Sequence, residues 1–377
     1  MIDVLNFVWD YLVPFLFILT VLVFVHEMGH YWVARRNGVL VQVFSIGFGP
    51  EIYGWTDSIG TRWKIGAVPL GGYVKMFGES AEAEDEGRPL TEAEKAVSFS
   101  HKSLRQRAAI VAAGPIANFL FAIVVLAALF AIAGNPRPLA GVGSVQEGSA
   151  AAEAGILAGD RILSIDGEAV TWFEDLRRIV SAAPGKQLDI IVARGGGEVA
   201  LQATPKPRRV ADGSAGTSTI GLLGVAPDPD QIGYERQNPI AATWMAVERT
   251  IGLSARILAY VGEVIVGSRT SEELGGPIRI AQLSGEMAQG GVVNLILFLA
   301  ALSINLGLIN LFPIPMLDGG HLTYYVFEAL RGRPLDQRIQ EYGFRFGLIL
   351  VLLLMLFATW NDLVHLKVFE FIRELVT

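Results

Sequence analysis

The chain has 377 residues, of which 52% are hydrophobic and 18% charged, with no cysteine and a formal net charge of −7. A soluble domain carries about 25% charge, so this composition implies bilayer segments joined to a soluble part rather than one soluble domain. The missing cysteines exclude disulfides and thiolate metal sites, and no basic block is present to track phosphates, which excludes nucleic acid as a partner.

Four apolar stretches can span a bilayer: about 11–34, 108–133 and 292–312, and a fourth from 346 past Trp360. A span needs about 20 residues, so the fourth is predicted to run through Asn361 and Asp362 or to thin the bilayer locally. The start of the chain has neither a basic leader nor a small-residue cleavage site, so it does not read as a cleaved signal peptide. Arg35 and Arg36 close the first span, and Lys102, Arg105 and Arg107 precede the second. The positive-inside rule then places that connection in the cytoplasm and the N-terminus outside. Arg331, Arg333 and Arg338 put the third-to-fourth connection on the same side, and the long segment from 135 to 291 outside.

Within the first connection, residues 61–77 alternate apolar and polar around Pro69-Leu70-Gly71-Gly72, which predicts a β-hairpin. Residues 79–95 are acidic and poor in large apolar groups, and are expected to form a mobile loop. The extracytoplasmic segment has the pattern of a small α+β module. It offers strands at 142–145 and 161–165, a short helix ending at Gly155, a helix at 173–181, a hairpin of 188–193 with 199–203, and a last strand at 220–225. Residues 205–219 are expected to be a loop. Arg249, Arg256 and Glu263 recur every seven residues within 239–267, which predicts an amphipathic helix on the membrane surface.

The first span contains His26-Glu27-Met28-Gly29-His30. On a helix, positions i and i+4 share a face, so both imidazoles can bind one zinc ion while Glu27 stands beside the water as a base. Ionisable groups in an apolar span cost at least about 2.5 kcal/mol on insertion scales, which favours a functional reading over a packing one. A catalytic zinc usually takes three protein ligands and keeps one position open. Asp318, after Asn310-Leu-Phe-Pro313-Ile-Pro315-Met-Leu, is the best third ligand. The two prolines must unwind the chain there, and Gly319 lets it turn closely. Two alternatives stay open: Asp318 as the N-cap of a following helix, and His321 as the ligand.

HEMGH in the first span, Asn-x-x-Pro-x-Pro-x-Leu-Asp-Gly at 310–319, and Ala113-Gly114-Pro115-x-x-Asn118 in the second together resemble the site-2 protease family of intramembrane zinc metalloproteases. The bacterial branch typified by the regulator of sigma-E protease is the most similar. The resemblance implies one Zn2+ held by His26, His30 and Asp318, with Glu27 as catalytic base. It implies that Asn305 and Asn310 hold the substrate, and that substrates are single-span membrane proteins such as anti-sigma factors or remnant signal peptides. It also implies a multi-pass protein of the bacterial inner membrane. The hairpin residues Gly72, Tyr73 and Val74 could offer the substrate a strand edge, or could simply anchor in the membrane.

The extracytoplasmic module resembles a PDZ domain through Gly148-Ser149-Ala150-Ala151 and Gly159-Asp160-Arg-Ile-Leu-x-Ile165-Asp166-Gly167. One such module is found where the branch's best-known member has two. The expected fold is an α-helical polytopic membrane protein of about four transmembrane helices, with a cytoplasmic membrane-associated β-hairpin and an inserted α+β PDZ domain. Its expected parts are 1–134 (membrane), 135–226 (PDZ), 227–291 (amphipathic helical linker) and 292–377 (membrane). The rival reading is a PDZ-bearing membrane scaffold without catalysis.

Overall fold

A helix that is apolar on every side has no polar face to turn to water, and it satisfies its backbone internally, as a bilayer requires. Four helices have that character: Val8–Arg36, Leu104–Ile132, Val292–Leu311 and Arg338–Val364 are long and apolar enough to cross a membrane. The computed structural model describes residues 8–79, 90–212, 216–268 and 275–365. Its contacts divide the chain into one unit of Met1–Ala128 with Pro239–Thr377 and a second of Leu129–Asn238.

The first unit begins with a π-helical turn at Val8–Leu12 that leads into α1 (Val13–Arg36), closed by Arg35 and Arg36 where the helix dipole favours cations. It continues with β1 (Val41–Thr56), β2 (Arg62–Met76), α2 (Glu92–Val97) and α3 (Leu104–Ile132). After the second unit come α6 (Pro239–Val266), α7 (Pro277–Gln289), α8 (Val292–Leu311), α9 (Asp318–Arg331) and α10 (Gln337–His365). α10 starts well before Phe346, so the fourth apolar helix reaches full length without local thinning of a bilayer. Its Asp362 is 1% exposed and accepts the amides of Gly276 (2.8 Å), Ile278 (3.0 Å) and Arg279 (3.1 Å), which caps the start of α7.

Two expectations for the first connection need correction. The arms of the predicted hairpin both pair with β1. Val43 to Ile46 lie opposite Arg62 to Ile65 as well as Lys75 to Gly72, and Glu51 to Thr56 pair back along Gly66 to Arg62. β1 is therefore inserted where direct pairing was expected. Of the acidic segment, 80–89 lies outside the described residues, but Glu92–Val97 is a helix. Thr91 and Glu94 form its capping box, which satisfies two end amides that low hydrophobicity gave no reason to expect ordered.

The sheet is seated on α1 by aromatic packing. Phe44 is 1% exposed, stacked on Trp63 at 4.5 Å and edge-on to Phe24 and Tyr31 at 5.7 and 5.8 Å. Tyr31, Ala34, Val41, Val74, Ile110 and Val111 share this core, so α1, both strands and α3 meet in it.

The second unit contains β3 (Asn135–Pro138), β4 (Val142–Val145), α4 (Ala150–Glu153), β5 (Arg161–Ile165), β6 (Glu168–Ala169), α5 (Phe173–Ser181), β7 (Leu188–Arg194) and β8 (Gly197–Ala203). β9 (Lys206–Asp212), β10 (Gly216–Leu222), β11 (Val225–Pro227) and β12 (Ile232–Glu235) follow. β6, β5, β7 and β8 form one sheet in that order, while β4 pairs with β11 and β3 with β12. Leu176 and Val180 of α5 close a core with Ile162, Ile165, Leu188 and Ile190. The loop expected at 205–219 is instead largely β9 and β10, paired from Lys206↔Leu222 to Asp212↔Gly216. An antiparallel ladder can leave a face to water, so its Arg, Ser and Thr residues hid it from a reading based on apolar alternation.

Asp160, also 1% exposed, accepts Arg194 Nε and Nη2 at 2.7 Å and the Leu157 amide at 2.8 Å. The Arg194 guanidinium holds this carboxyl below its ordinary value. A depressed native value contributes stability that is complete above the unfolded carboxyl's value of about 3.9 and is lost as the pH falls through the lower native one. Arg194→Met is expected to destabilise the unit by about 2–3 kcal/mol at neutral pH and to remove that acid dependence, because it strands a buried carboxylate. Hydrogen exchange of the β5 and β7 amides against pH measures both effects.

Candidate metal centre

α1 carries His26, Glu27 and His30, and its pitch stacks the two imidazoles on one face. Their Nε2 atoms lie 3.2 Å apart, with the rings edge-on at 4.8 Å. His30 Nδ1 meets the Ile110 carbonyl of α3 at 2.9 Å. A carbonyl only accepts, so Nδ1 holds the proton and Nε2 presents a lone pair. The Asn118 side-chain amide lies 3.2 Å from His26 Nδ1, and its Oδ1 is buried without a hydrogen-bond partner. Turned by 180°, that amide offers Oδ1 to a His26 Nδ1–H, which satisfies the orphaned oxygen and leaves His26 Nε2 as a lone pair too.

Asp318 arrives from the broken end of α8. Residues 312–317 are not helical, Met316 takes φ +94°, and Asp318 is the first residue of α9, with Leu317 in the capping position. A Cβ on Gly319 would overlap the carbonyls of Leu311 and Phe312, so only glycine lets α9 start this close to the break. Asp318 Oδ2 lies 3.1 Å from His26 Nε2 and 3.5 Å from His30 Nε2, and it too is buried without a hydrogen-bond partner. Three electron-pair donors thus converge within 4.8 Å of one another. In the tautomers just described, three lone pairs face one another and repel, a conflict that a cation would resolve. Two imidazole nitrogens and one carboxylate oxygen form a donor set that zinc accepts in catalytic sites while keeping a fourth position open.

Neighbouring packing fixes this geometry. Ser303 of α8 donates to the Asn118 carbonyl at 2.8 Å, a buried bond that ties the broken helix to the histidine-contacting one. Arg107 of α3 pairs with Glu328 of α9 at 2.6 Å and lies 5.0 Å over the Tyr325 ring, which holds the far end of α9. Gly114 lies against the imidazoles themselves: a Cβ there would overlap His30 Nε2 and come within 2.9 Å of His26 Cε1.

His26, Glu27, His30 and Asp318 open onto a cavity of about 600 Å3. The backbone amide of Val74 on β2 lies beside the Glu27 carboxylate. Tyr73, Val74 and Asn310 also line the cavity, and Gly72 packs over Val23 and Glu27 Cγ. Asn305, one and a half turns further up α8, does not line it. Pro313 and Pro315 lie in the broken segment. His321 lines the cavity but stands outside the converging trio; its burial holds the imidazole below its ordinary value. Gly114 and Asn118 belong to the Ala113-Gly114-Pro115-x-x-Asn118 motif, whereas Ile110 and the Arg107–Glu328 pair carry no sequence signal of a role at the site.

Comparison with known proteins fits this geometry. The profile of peptidase family M50 matches residues 14–354. The chain belongs to peptidase family M50. It shares 45% identity over 95% of its length, and 97% of the relative's, with "Putative zinc metalloprotease Atu1380" of Agrobacterium fabrum. With the "Regulator of sigma-E protease RseP" of Escherichia coli it shares 34% over 95% of this chain and 99% of that one. That second alignment is 458 positions long, so the relative carries residues that this chain of 377 lacks. Among solved structures, the PDZ domain of an SdrC-like protein from Listeria monocytogenes is 23% identical over 24% of this chain and 90% of that one, with a TM-score of 0.19. As an M50 peptidase, the chain is a zinc metalloprotease of the site-2 family, and its cofactor is Zn2+.

Asn118→Leu is expected to weaken zinc binding about 10–100-fold, because it removes the partner that fixes the His26 ring. Gly114→Ala should lower zinc content further by driving a methyl group into His30. Chelator competition and metal analysis on purified protein measure both, and unchanged affinity in Asn118→Leu would refute the tautomer argument.

Proposed function

We propose that this chain cuts single-span membrane proteins within or near the bilayer, with His26, His30 and Asp318 holding one zinc ion and Glu27 managing the proton. The observation that carries the reading is the meeting of two imidazoles and a carboxylate beside Glu27, in a cavity built on helices of membrane length. Bound there, zinc supplies a Lewis acid that brings the pKa of water to about 7 and polarises a carbonyl.

Glu27, beside Val74 in the cavity wall, takes a proton from the attacking water as its oxygen bonds to the scissile carbon. The same carboxyl returns the proton to the nitrogen as the C–N bond breaks, so hydrolysis leaves Glu27 unchanged. A helical substrate hides its carbonyls in its own hydrogen bonds, so it must first be drawn out. Gly72, Tyr73 and Val74 lie beside Glu27 where an extended segment would run, and Asn310 faces the same cavity and can bond its backbone. Asn305 lies off the cavity, so this reading gives it no direct contact with substrate.

The protein sits in a bacterial inner membrane with its metal centre toward the cytoplasm. The support is the distribution of Arg35, Arg36, Lys102, Arg105, Arg331 and Arg333 beside the spans. Residues 135–226 then form an extracytoplasmic PDZ domain that senses or filters substrates, and 227–291 link it to the membrane part made by 1–134 and 292–377. The relative named for regulating sigma-E favours anti-sigma factors as the substrate class, with remnant signal peptides as a second.

Glu27→Gln is expected to keep its zinc and lose cleavage of a co-expressed single-span substrate by at least about 100-fold. Persisting cleavage would remove Glu27 from the mechanism, while absence of any Glu27-dependent product in the unaltered protein would favour a scaffold. Asp318→Asn should lower the bound zinc, read by metal analysis; unchanged content would move the third ligand elsewhere.

A further inference from the structure

The cavity contains a carboxylate that the proton chemistry leaves unused. Glu79 follows β2, and its Oε2 accepts the Met76 amide at 3.2 Å. Val74 and Met76 are two residues apart on one strand, so their amides point to the same edge. The Val74 amide lies beside Glu27, and the Met76 amide bonds Glu79. Two carboxylates therefore sit along a single strand edge, about 7 Å apart at the strand's rise per residue.

The charges around them are unequally balanced. Glu328, on the cavity's other wall, is neutralised by Arg107. Glu27 and Asp318 serve the metal centre. Glu79 lines the cavity with its surface open and has no Lys or Arg partner among the described residues. Packed protein around the carboxyl raises its pKa, and a cation brought beside it would lower the pKa again. A carboxylate has about four lone-pair sites and Met76 uses one, so the rest can accept from a bound ligand.

We propose that Glu79 selects substrates with a lysine or arginine about two residues from the bond that is cut. The inference rests on the reading above, in which an extended substrate runs beside Glu27 and the site faces the cytoplasm. Single-span proteins concentrate Lys and Arg at that face, so the ligand class is present where the carboxylate would meet it. The substrate residue would place its ammonium or guanidinium on Glu79 while the scissile carbonyl lies at Glu27, fixing the register of the extended segment.

The test uses the full-length zinc-loaded protein and model single-span peptides that differ at one position near the cleaved bond, carrying Lys, Ala or Glu there in turn. The unaltered protein is expected to favour Lys over Glu by about tenfold in kcat/KM at the responsive position. Glu79→Gln keeps an acceptor for the Met76 amide and should erase the preference, and Glu79→Lys should reverse it. Fluorescence anisotropy of the same peptides on the Glu27→Gln protein reads the preference without cleavage, and metal analysis confirms that each variant holds zinc. A charge order in binding without any cleavage would sink the proteolytic reading and leave Glu79's role standing. No charge order in binding or cleavage, or an order that survives both Glu79 substitutions, would overturn the assignment.

Discussion

His30 Nδ1 donates to the Ile110 carbonyl, and that bond decides what the opposite nitrogen can do. With the proton fixed on Nδ1, Nε2 can only accept or ligate. Asn118, with its amide turned to satisfy Oδ1, makes the same choice for His26, and Asp318 brings a carboxylate oxygen to both Nε2 atoms. The arrangement demands that α3 run very close to α1, which explains glycine at 114 and a buried serine-to-carbonyl bond from α8 to the same turn of α3. In an apolar medium each of these polar contacts replaces an otherwise unsatisfied group, so they orient the helices as well as the metal ligands.

The sheet and the broken helix supply what the helix pair lacks. Phe44 and Trp63 seat β1 and β2 on α1, so Val74 comes to line the cavity with Glu27. The prolines end α8, and Met316 takes a φ that few non-glycine residues adopt; together they turn the chain sharply enough to aim Asp318 back at the histidines. Strain of this kind persists only where the surroundings over-determine it. Here the close start of α9 on the carbonyls of Leu311 and Phe312, and the Arg107–Glu328 pair at its far end, do so.

Much of this was legible in the sequence because the signals were local. HEMGH places two imidazoles by helical pitch alone, Pro313 and Pro315 announce an unwound segment, and apolar runs mark four helices whose extents differ from expectation mainly at 337–345. What stayed hidden depends on contacts between distant segments. β1 inserts itself between two arms that looked like partners, which only its aromatic seat on α1 explains. β9 and β10 form a polar ladder whose stability comes from backbone pairing, so hydrophobic alternation could not reveal it. Asn118 was visible as an oddity in an apolar run, but its role needs His26 from 92 residues earlier.

Acids in this chain divide according to whether their charge and lone pairs are already used. Asp362 ends an apolar helix and looks, in sequence, as anomalous as His26 or Glu27. Three amides at the start of α7 occupy most of its lone pairs, so it packs two helices together. Asp160 likewise accepts three donors from Arg194 and Leu157, and the charge of Glu328 is paired with Arg107. Asp318 is different, since its buried oxygen faces the two metal-ligating imidazoles, and Glu79 is different, since it spends one bond, has no cationic partner among the described residues and opens on the cavity. The insertion cost of an ionisable group in an apolar segment is the same whether a helix end or a metal repays it. The discriminating quantity is therefore the hydrogen-bonding capacity left over once the protein's own donors are counted, and it is greatest at Asp318 and Glu79, on the walls of one cavity.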